Sequence, residues 1–232
     1  ENISYGQEML SNALSDLASV EKHRSKTEAI AKVAGDLPVL FFGSFQESSK
    51  YEYFAHKTSF TLGFVDSRHT QFDIWQIEKK YHNKPVFICQ YVPGMSKWYR
   101  YDKGWICGFA TDSLQTVNRM ELRFDMPDLV LERGKIEKIH CTIHNPYNFD
   151  INFNHHRFPV QVMAVFIQKE NPWYLPVKIS GPMGIIKAGE TISREITLEV
   201  PQLLDGTYRF GFSLSTSICK PLNSKMIEVK LK

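Results

Sequence analysis

Apolar positions along this chain follow two different rhythms. From about Glu21 to Val92, helical spacing alternates with short continuous apolar runs. Residues 24–34 place Ala29, Ile30, Val33 and Ala34 on one helical face. Gly35 follows as a stop, because glycine adopts the left-handed conformation that closes a helix without a Cβ clash. Pro38 then leads into Val39-Leu40-Phe41-Phe42, an unbroken apolar run typical of a strand covered on both faces. Residues 48–55 predict a short helix and residues 60–64 a second strand. Thr70, with Asp73 three residues on, predicts a capped helix with Phe72, Trp75 and Lys79 along one side. Pro85 introduces a third buried strand over residues 86–92. The order strand–helix–strand–helix–strand predicts a small parallel sheet joined by right-handed crossovers.

From Gly104 onward the helical period is gone. Met120, Leu122, Phe124 and Met126 alternate with polar neighbours, as do Ile139, Cys141 and Ile143, then Ile196, Leu198 and Val200, and then Tyr208, Phe210, Phe212 and Leu214. Residues 160–167 are apolar on both parities, as expected of a central strand. Turn dipeptides such as Asn145-Pro146 and Asp205-Gly206 separate the runs. Short antiparallel strands with such punctuation predict a β-sandwich, and Tyr208 after Asp205-Gly206-Thr207 resembles the tyrosine corner of immunoglobulin-like domains. The expected fold is α/β plus all-β. A small three-layer parallel α/β domain spans residues 1–103, with an N-terminal helical segment and a linker. An immunoglobulin-like antiparallel β-sandwich spans 104–232. The linker, residues 94–103, contains Lys97-Trp98-Tyr99-Arg100-Tyr101, which reads either as a packed wedge or as a ligand-facing lip.

Composition supports a folded core: 232 residues, 43% hydrophobic and 23% charged. A net charge of +3, spread along the chain, lacks the concentrated basic face that nucleic acid requires, so no nucleic-acid partner is expected. The longest apolar stretches, such as residues 159–167, fall far short of the ~20 residues that cross a bilayer, and no basic-then-apolar leader opens the chain. The four cysteines form no C-x-x-C pair, and Cys89 and Cys141 read as buried strand thiols. His140 and His144 would lie ~13 Å apart along a strand, too far to share a metal ion, so no metal is expected. Neither a nucleophile elbow nor a Gly-rich phosphate loop is present, which leaves catalytic residues and cofactors at none.

Two polar–aromatic clusters remain. Residues 43–54 begin where the first strand ends, at the edge where open α/β sheets collect ligands. Residues 67–75 follow the second strand onto the same expected edge. Gln46, Lys50, Arg68 and Gln71 would converge in one cleft, with Tyr51 and Trp75 as aromatic walls, suited to a sugar hydroxyl or a phosphate. The plainer account is that Ser44 or Ser48 caps a helix, Thr70 and Asp73 cap another, and Tyr51 and Phe54 pack.

The runs Leu37-Pro38-Val39-Leu40-Phe41-Phe42-Gly43-Ser44-Phe45-Gln46, Ser49-Lys50-Tyr51-Glu52-Tyr53-Phe54 and Arg68-His69-Thr70-Gln71-Phe72-Asp73-Ile74-Trp75 resemble a recurrent pattern. It is that of the soluble C-terminal region of bacterial membrane glycosyltransferases of the protein-mannosyltransferase and aminoarabinose-transferase superfamily, particularly those of Bacteroidetes. That pattern often has Tyr at the position of Phe45 and a second Arg at that of His69. The resemblance implies a non-catalytic, membrane-tethered periplasmic domain whose active site lies in a membrane part of the same polypeptide, with a lipid-phosphate-linked sugar as donor. Its expected role is to help position donor or acceptor. The alternatives are a free-standing periplasmic or surface module that binds carbohydrate or protein, and a hydrolase whose carboxylates meet only in space.

Overall fold

The computed structural model describes residues 2–43, 45–62, 77–126 and 129–232, with side chains from residue 15 onward. The described chain gathers into two compact units, residues 2–61 with 77–114, and residues 115–232 with Leu62.

The first unit opens with helix α1, Asn2–Ala34. Its C-terminal turns bury Ile30 and Ala34, with Ala29 and Val33 packed alongside. Gly35 ends it at φ 61°, its N–H donating to the Ala31 carbonyl at 3.0 Å, which is the left-handed closure expected of a glycine there. Strand β1 is Val39–Phe42, helix α2 Phe45–Ala55, and strand β2 Ser59–Leu62. Ser48 lies inside α2 and caps nothing: its hydroxyl meets that of Ser59 at 2.7 Å and ties the helix to β2. A 3₁₀ turn, Ile77–Tyr81, carries Lys79, whereas the helix expected from Thr70 through Trp75 lies outside the described residues. Strand β3 is Val86–Cys89, shorter than the run to Val92.

The sheet order is β2-β1-β3, continued by strands β5 (Gly104–Thr111) and β4 (Lys97–Tyr101). β1 and β3 are parallel, but β5 pairs antiparallel with both β3 and β4. The sheet is therefore mixed rather than wholly parallel, and residues 97–111, which fall in the expected linker and at the start of the expected sandwich domain, form its edge hairpin. The hairpin stayed hidden because both parities of Lys97–Tyr101 are aromatic or basic, which masks a period of two. Gly108 is required where β5 meets β3: a Cβ there would lie 2.5 Å from the Ile88 carbonyl oxygen and 2.7 Å from the Phe87 ring.

The second unit is built from two main sheets. One orders β11 (Asn171–Pro176), β10 (Gln161–Gln168), β15 (Gly206–Ser215), β16 (Ile227–Leu231) and β7 (Val130–Leu131). The other orders β12 (Lys178–Ile179), β14 (Thr191–Glu199), β8 (Ile136–His144) and β6 (Glu121–Phe124). A small ladder joins β9 (Ile151–Asn152) to β13 (Ile185–Ile186). The alternating residues of both sheets meet in one core: Leu122, Ile139, Ile143, Ile196 and Leu198 on one side, Phe166, Phe210 and Phe212 on the other. A sandwich of two such faces removes the apolar side of each sheet from water. Tyr208 donates its hydroxyl to the Leu204 carbonyl at 2.9 Å, closing the corner that leads into β15.

Candidate functional site

Helix α2 starts three residues after β1 ends, at the carboxyl end of the parallel pair β1/β3. Gln46 and Lys50 are one turn apart and so share a helix face, with Gln46 exposed and Lys50 half-buried. Lys50 is already engaged: its Nζ lies 3.3 Å from His23 Nε2 on α1 and 3.6 Å from Glu47 Oε1. Lys26 of α1 reaches Glu47 Oε2 at 2.5 Å, so one carboxylate joins both helices. Burial pushes the Glu47 pKa up, but the Lys26 hydrogen bond and the charges of Lys26, Lys50 and His23 together outweigh it and hold the carboxyl below its usual range.

Tyr51 sits differently from an open aromatic wall. It is 1% exposed, its ring packs on Phe41 with centroids 5.6 Å apart, and its hydroxyl is buried without a hydrogen-bond partner. Burial, with the neighbouring Cys89 adding, pushes its phenol up to about 12. Arg68, Gln71 and Trp75 lie outside the described residues. The structure thus places Gln46 and Lys50 together on α2 and Tyr51 in the core beneath them.

A second site emerges at the other end of the sheet. A groove of about 820 Å3 runs between α1 and the edge strand β4. Glu28 and Lys32, one turn apart, form its helical wall, and the β4 segment Tyr99-Arg100-Tyr101-Asp102 forms the opposite side. Pairing of Tyr99 with Ile106 and of Tyr101 with Gly104 puts both tyrosines on the helix-facing side of the hairpin, half-buried against the core. Trp98 and Arg100 point to the other face, opposite Cys107 and Trp105. Trp98 and Trp105 are each 59% exposed, and Tyr91 stacks on Trp98 at 6.2 Å. The sequence singled this run out as a possible lip; what it could not supply was α1 as the facing wall, because contact between distant segments leaves no local period.

The remaining reactive groups have structural settings. Burial pushes the Cys89 thiol up to about 12; Lys26 opposes this, and Glu47 and Cys107 reinforce it. Cys141 rises to about 11 by burial despite Arg194 nearby. Such thiols are poor nucleophiles near neutral pH. His155 Nδ1 accepts from the backbone N–H groups of Phe158 and Arg157 at 3.1 and 3.3 Å, which occupies that nitrogen. Among the described residues no group of three His, Cys, Asp or Glu side chains is placed to hold a metal ion, and no helix is long and apolar enough to cross a membrane.

No protein-family model and no curated protein matches this chain. Solved structures similar to part of it include the Pseudomonas fluorescens alkylpurine DNA glycosylase AlkC bound to DNA containing an abasic site analog. That likeness has 8% identity and TM-score 0.33, over 49% of this chain and 30% of that one. The Listeria innocua β-glucosidase in complex with gluconolactone is similar at 15% identity and TM-score 0.30, over 49% of this chain and 16% of the enzyme. The CARDB domain of PF1109 from Pyrococcus furiosus is similar at 10% identity and TM-score 0.27, over 48% of this chain and 93% of that domain. This chain therefore spans less than a third of the glycosylase and of the glucosidase. At these TM-scores the likenesses bear on neither fold nor function.

Proposed function

We propose that this chain is a non-catalytic extracytoplasmic domain of a membrane-bound glycosyltransferase that uses a lipid-phosphate-linked sugar donor, where it helps position donor or acceptor. The observation that carries the reading is the open groove between α1 and β4, whose walls carry Glu28, Lys32, Tyr99 and Tyr101, with no nucleophile–base pair among the described residues that line it. The resemblance of residues 37–46, 49–54 and 68–75 to the protein-mannosyltransferase superfamily supplies the transferase context. Gln46 and Lys50 stand at the carboxyl end of β1, where the cleft with Arg68, Gln71 and Trp75 is proposed. For the second unit we take the immunoglobulin-like assignment as the best reading, supported by the two-sheet core and the Tyr208–Leu204 bond.

The groove also suits a free-standing carbohydrate-binding module, and one experiment separates the two. The complete reading frame is expressed and its membranes assayed for transfer from a polyprenyl-phosphate sugar, with and without this domain. Apolar spans of ~20 residues beside the domain, and transfer that needs it, are expected. A lone secretion leader would favour the binding module. Turnover of a polyprenyl-phosphate sugar or a model glycoside by the purified chain, lost on replacing one of its carboxylates, would sink the non-catalytic reading.

A further inference from the structure

We propose that the open edge of β4, in the groove between it and α1, takes up an extended basic and apolar peptide segment as an added β-strand. This rests on the reading of the groove as a binding site and deepens it by naming an extended polypeptide as what lies there. β4 is the outermost strand of its sheet and is bonded to β5 on one side only. Among the described residues, no backbone group of Lys97–Tyr101 has a main-chain partner on the other side. Such an edge leaves a row of N–H and C=O groups unpaired and is a template for another strand.

The lining of the groove shows that this edge borders it. Trp98, Tyr99, Arg100 and Tyr101 are consecutive, and strand side chains alternate between faces, so a groove bordered by all four runs along the main chain. Helix α1 stands as the opposite wall, and the space between measures about 820 Å3. A strand edge beside a helix wall admits a lone extended segment. A second copy of this chain would have to bring its own β5 and α1 in with its β4, so the geometry favours a peptide. β4 is laddered to β5 from Lys97 to Tyr101, so the edge is formed before the peptide arrives.

The walls state what the peptide must carry. On the α1 side the added strand lies beside Tyr99 and Tyr101 and meets Ala29 and Val33, all partly buried against the core, which calls for an apolar residue at every second position. Arg100 leaves on the other face with Trp98, so the charges at the groove are Glu28 and Asp102 against Lys32. All three are exposed, and among the described residues none of them makes a salt bridge or side-chain hydrogen bond. The excess carboxylate favours a basic residue in the peptide and repels an acidic one.

The test uses the full chain and the capped peptide Lys-Val-Thr-Val-Thr-Val-Lys, with Ile or Tyr in place of Val as further versions. Calorimetry follows binding, and hydrogen exchange of the β4 amides reads its place. At least one version is expected to bind below the millimolar range and to slow exchange of β4 amides. Methylating the peptide's backbone nitrogens at positions of one parity should abolish binding, and at the other parity should leave it, because an added strand spends only one of its edges. Glu28→Gln with Asp102→Asn should weaken binding by about three- to tenfold, as exposed ion pairs allow, without moving the melting temperature. Three results overturn the proposal. No version binds; or binding tolerates methylation at both parities; or the β4 amides are already protected in a concentration-dependent dimer seen by ultracentrifugation, which would assign the edge to a second copy. A domain that is needed for transfer in membranes but binds no peptide would refute the strand addition and leave the transferase reading intact. Peptide binding by a domain that transfer does not need would do the reverse.

Discussion

The two units satisfy their buried polar groups in different ways. In the sandwich, buried asparagines act as staples. Asn145 Nδ2 donates to the carbonyls of Phe149, Ile186 and Lys187 at 2.8–3.1 Å, while its Oδ1 accepts from Tyr147 N–H. Asn223 donates to Val117 and Met120 and accepts from Leu214 N–H. In the α/β unit, Tyr51 Oη, Thr61 Oγ1 and Gln90 Oε1 are buried without a hydrogen-bond partner. The sandwich has its own exceptions in Thr116 Oγ1 and Arg194 Nε. The contrast is therefore one of strategy: long loops in the sandwich are pinned by saturated amides, whereas the α/β unit relies on helix-to-sheet packing and an interhelical carboxylate. The groove proposed to bind a ligand belongs to the second kind of construction, where exposed charged side chains remain unspent.

The largest expected effect tests the staples. Asn223→Ala removes three hydrogen bonds and strands the Met120 carbonyl and the Leu214 N–H, at ~1–3 kcal/mol for each group that water cannot reach, while the Val117 carbonyl keeps the Met120 N–H. Calorimetry should show a loss of about 3 kcal/mol or more confined to one transition, with the α/β unit melting as before. A single cooperative transition that shifts as a whole would break the comparison, since the units would then share their stability.

Gly108→Ala probes the other unit. The added methyl cannot pass the Ile88 carbonyl and the Phe87 ring without moving β5 from β3, and overpacking of this kind costs ~1–3 kcal/mol. The loss should appear in the α/β transition alone. An unchanged melting profile would mean that the β3–β5 register differs from Ile88 opposite Phe109.

How legible each unit was in the sequence follows from the same physics. In the sandwich, a period of two survives in Ile196–Val200, where the face of Thr197 and Glu199 reaches water, and in Tyr208–Leu214, where Arg209 is exposed and the buried Gly211 and Ser213 are small, and Tyr208 closes its corner through Leu204. In the α/β unit, Val39–Phe42 and Val86–Cys89 were readable because both faces are dry, as was the stop at Gly35. The hairpin was not, because Trp98 and Trp105 stay exposed and the strand lacks the polar face that would reveal it. Of the candidate residues, the spacing of Gln46 and Lys50 on one helix face was legible. The burial of Tyr51 was not, because a tyrosine in a polar–aromatic run looks alike whether it faces solvent or Phe41. The groove needed α1 set beside β4, a pairing of segments ~70 residues apart that no local pattern encodes.

The smallest predicted effect is the most diagnostic of how the α/β unit is built. Tyr51 keeps its ring against Phe41 and its hydroxyl in a dry place beside Cys89, with nothing to accept its proton or donate to its oxygen. A hydroxyl buried in this way contributes no hydrogen bond to the folded state and has lost those it made to water. Tyr51→Phe keeps the ring and removes the liability, so stability should stay the same or rise by up to ~1 kcal/mol. If the hydroxyl instead serves a ligand at the carboxyl edge of β1, the substitution should leave folding intact and weaken glycan or lipid-phosphate binding. A loss of more than ~1 kcal/mol in the ligand-free chain would mean that the hydroxyl has a partner, such as an ordered water. Titration gives an independent check. A phenol held at about 12 should remain protonated at a pH where exposed tyrosines have ionised, so the ultraviolet titration of the wild-type chain should show a late component that Tyr51→Phe removes.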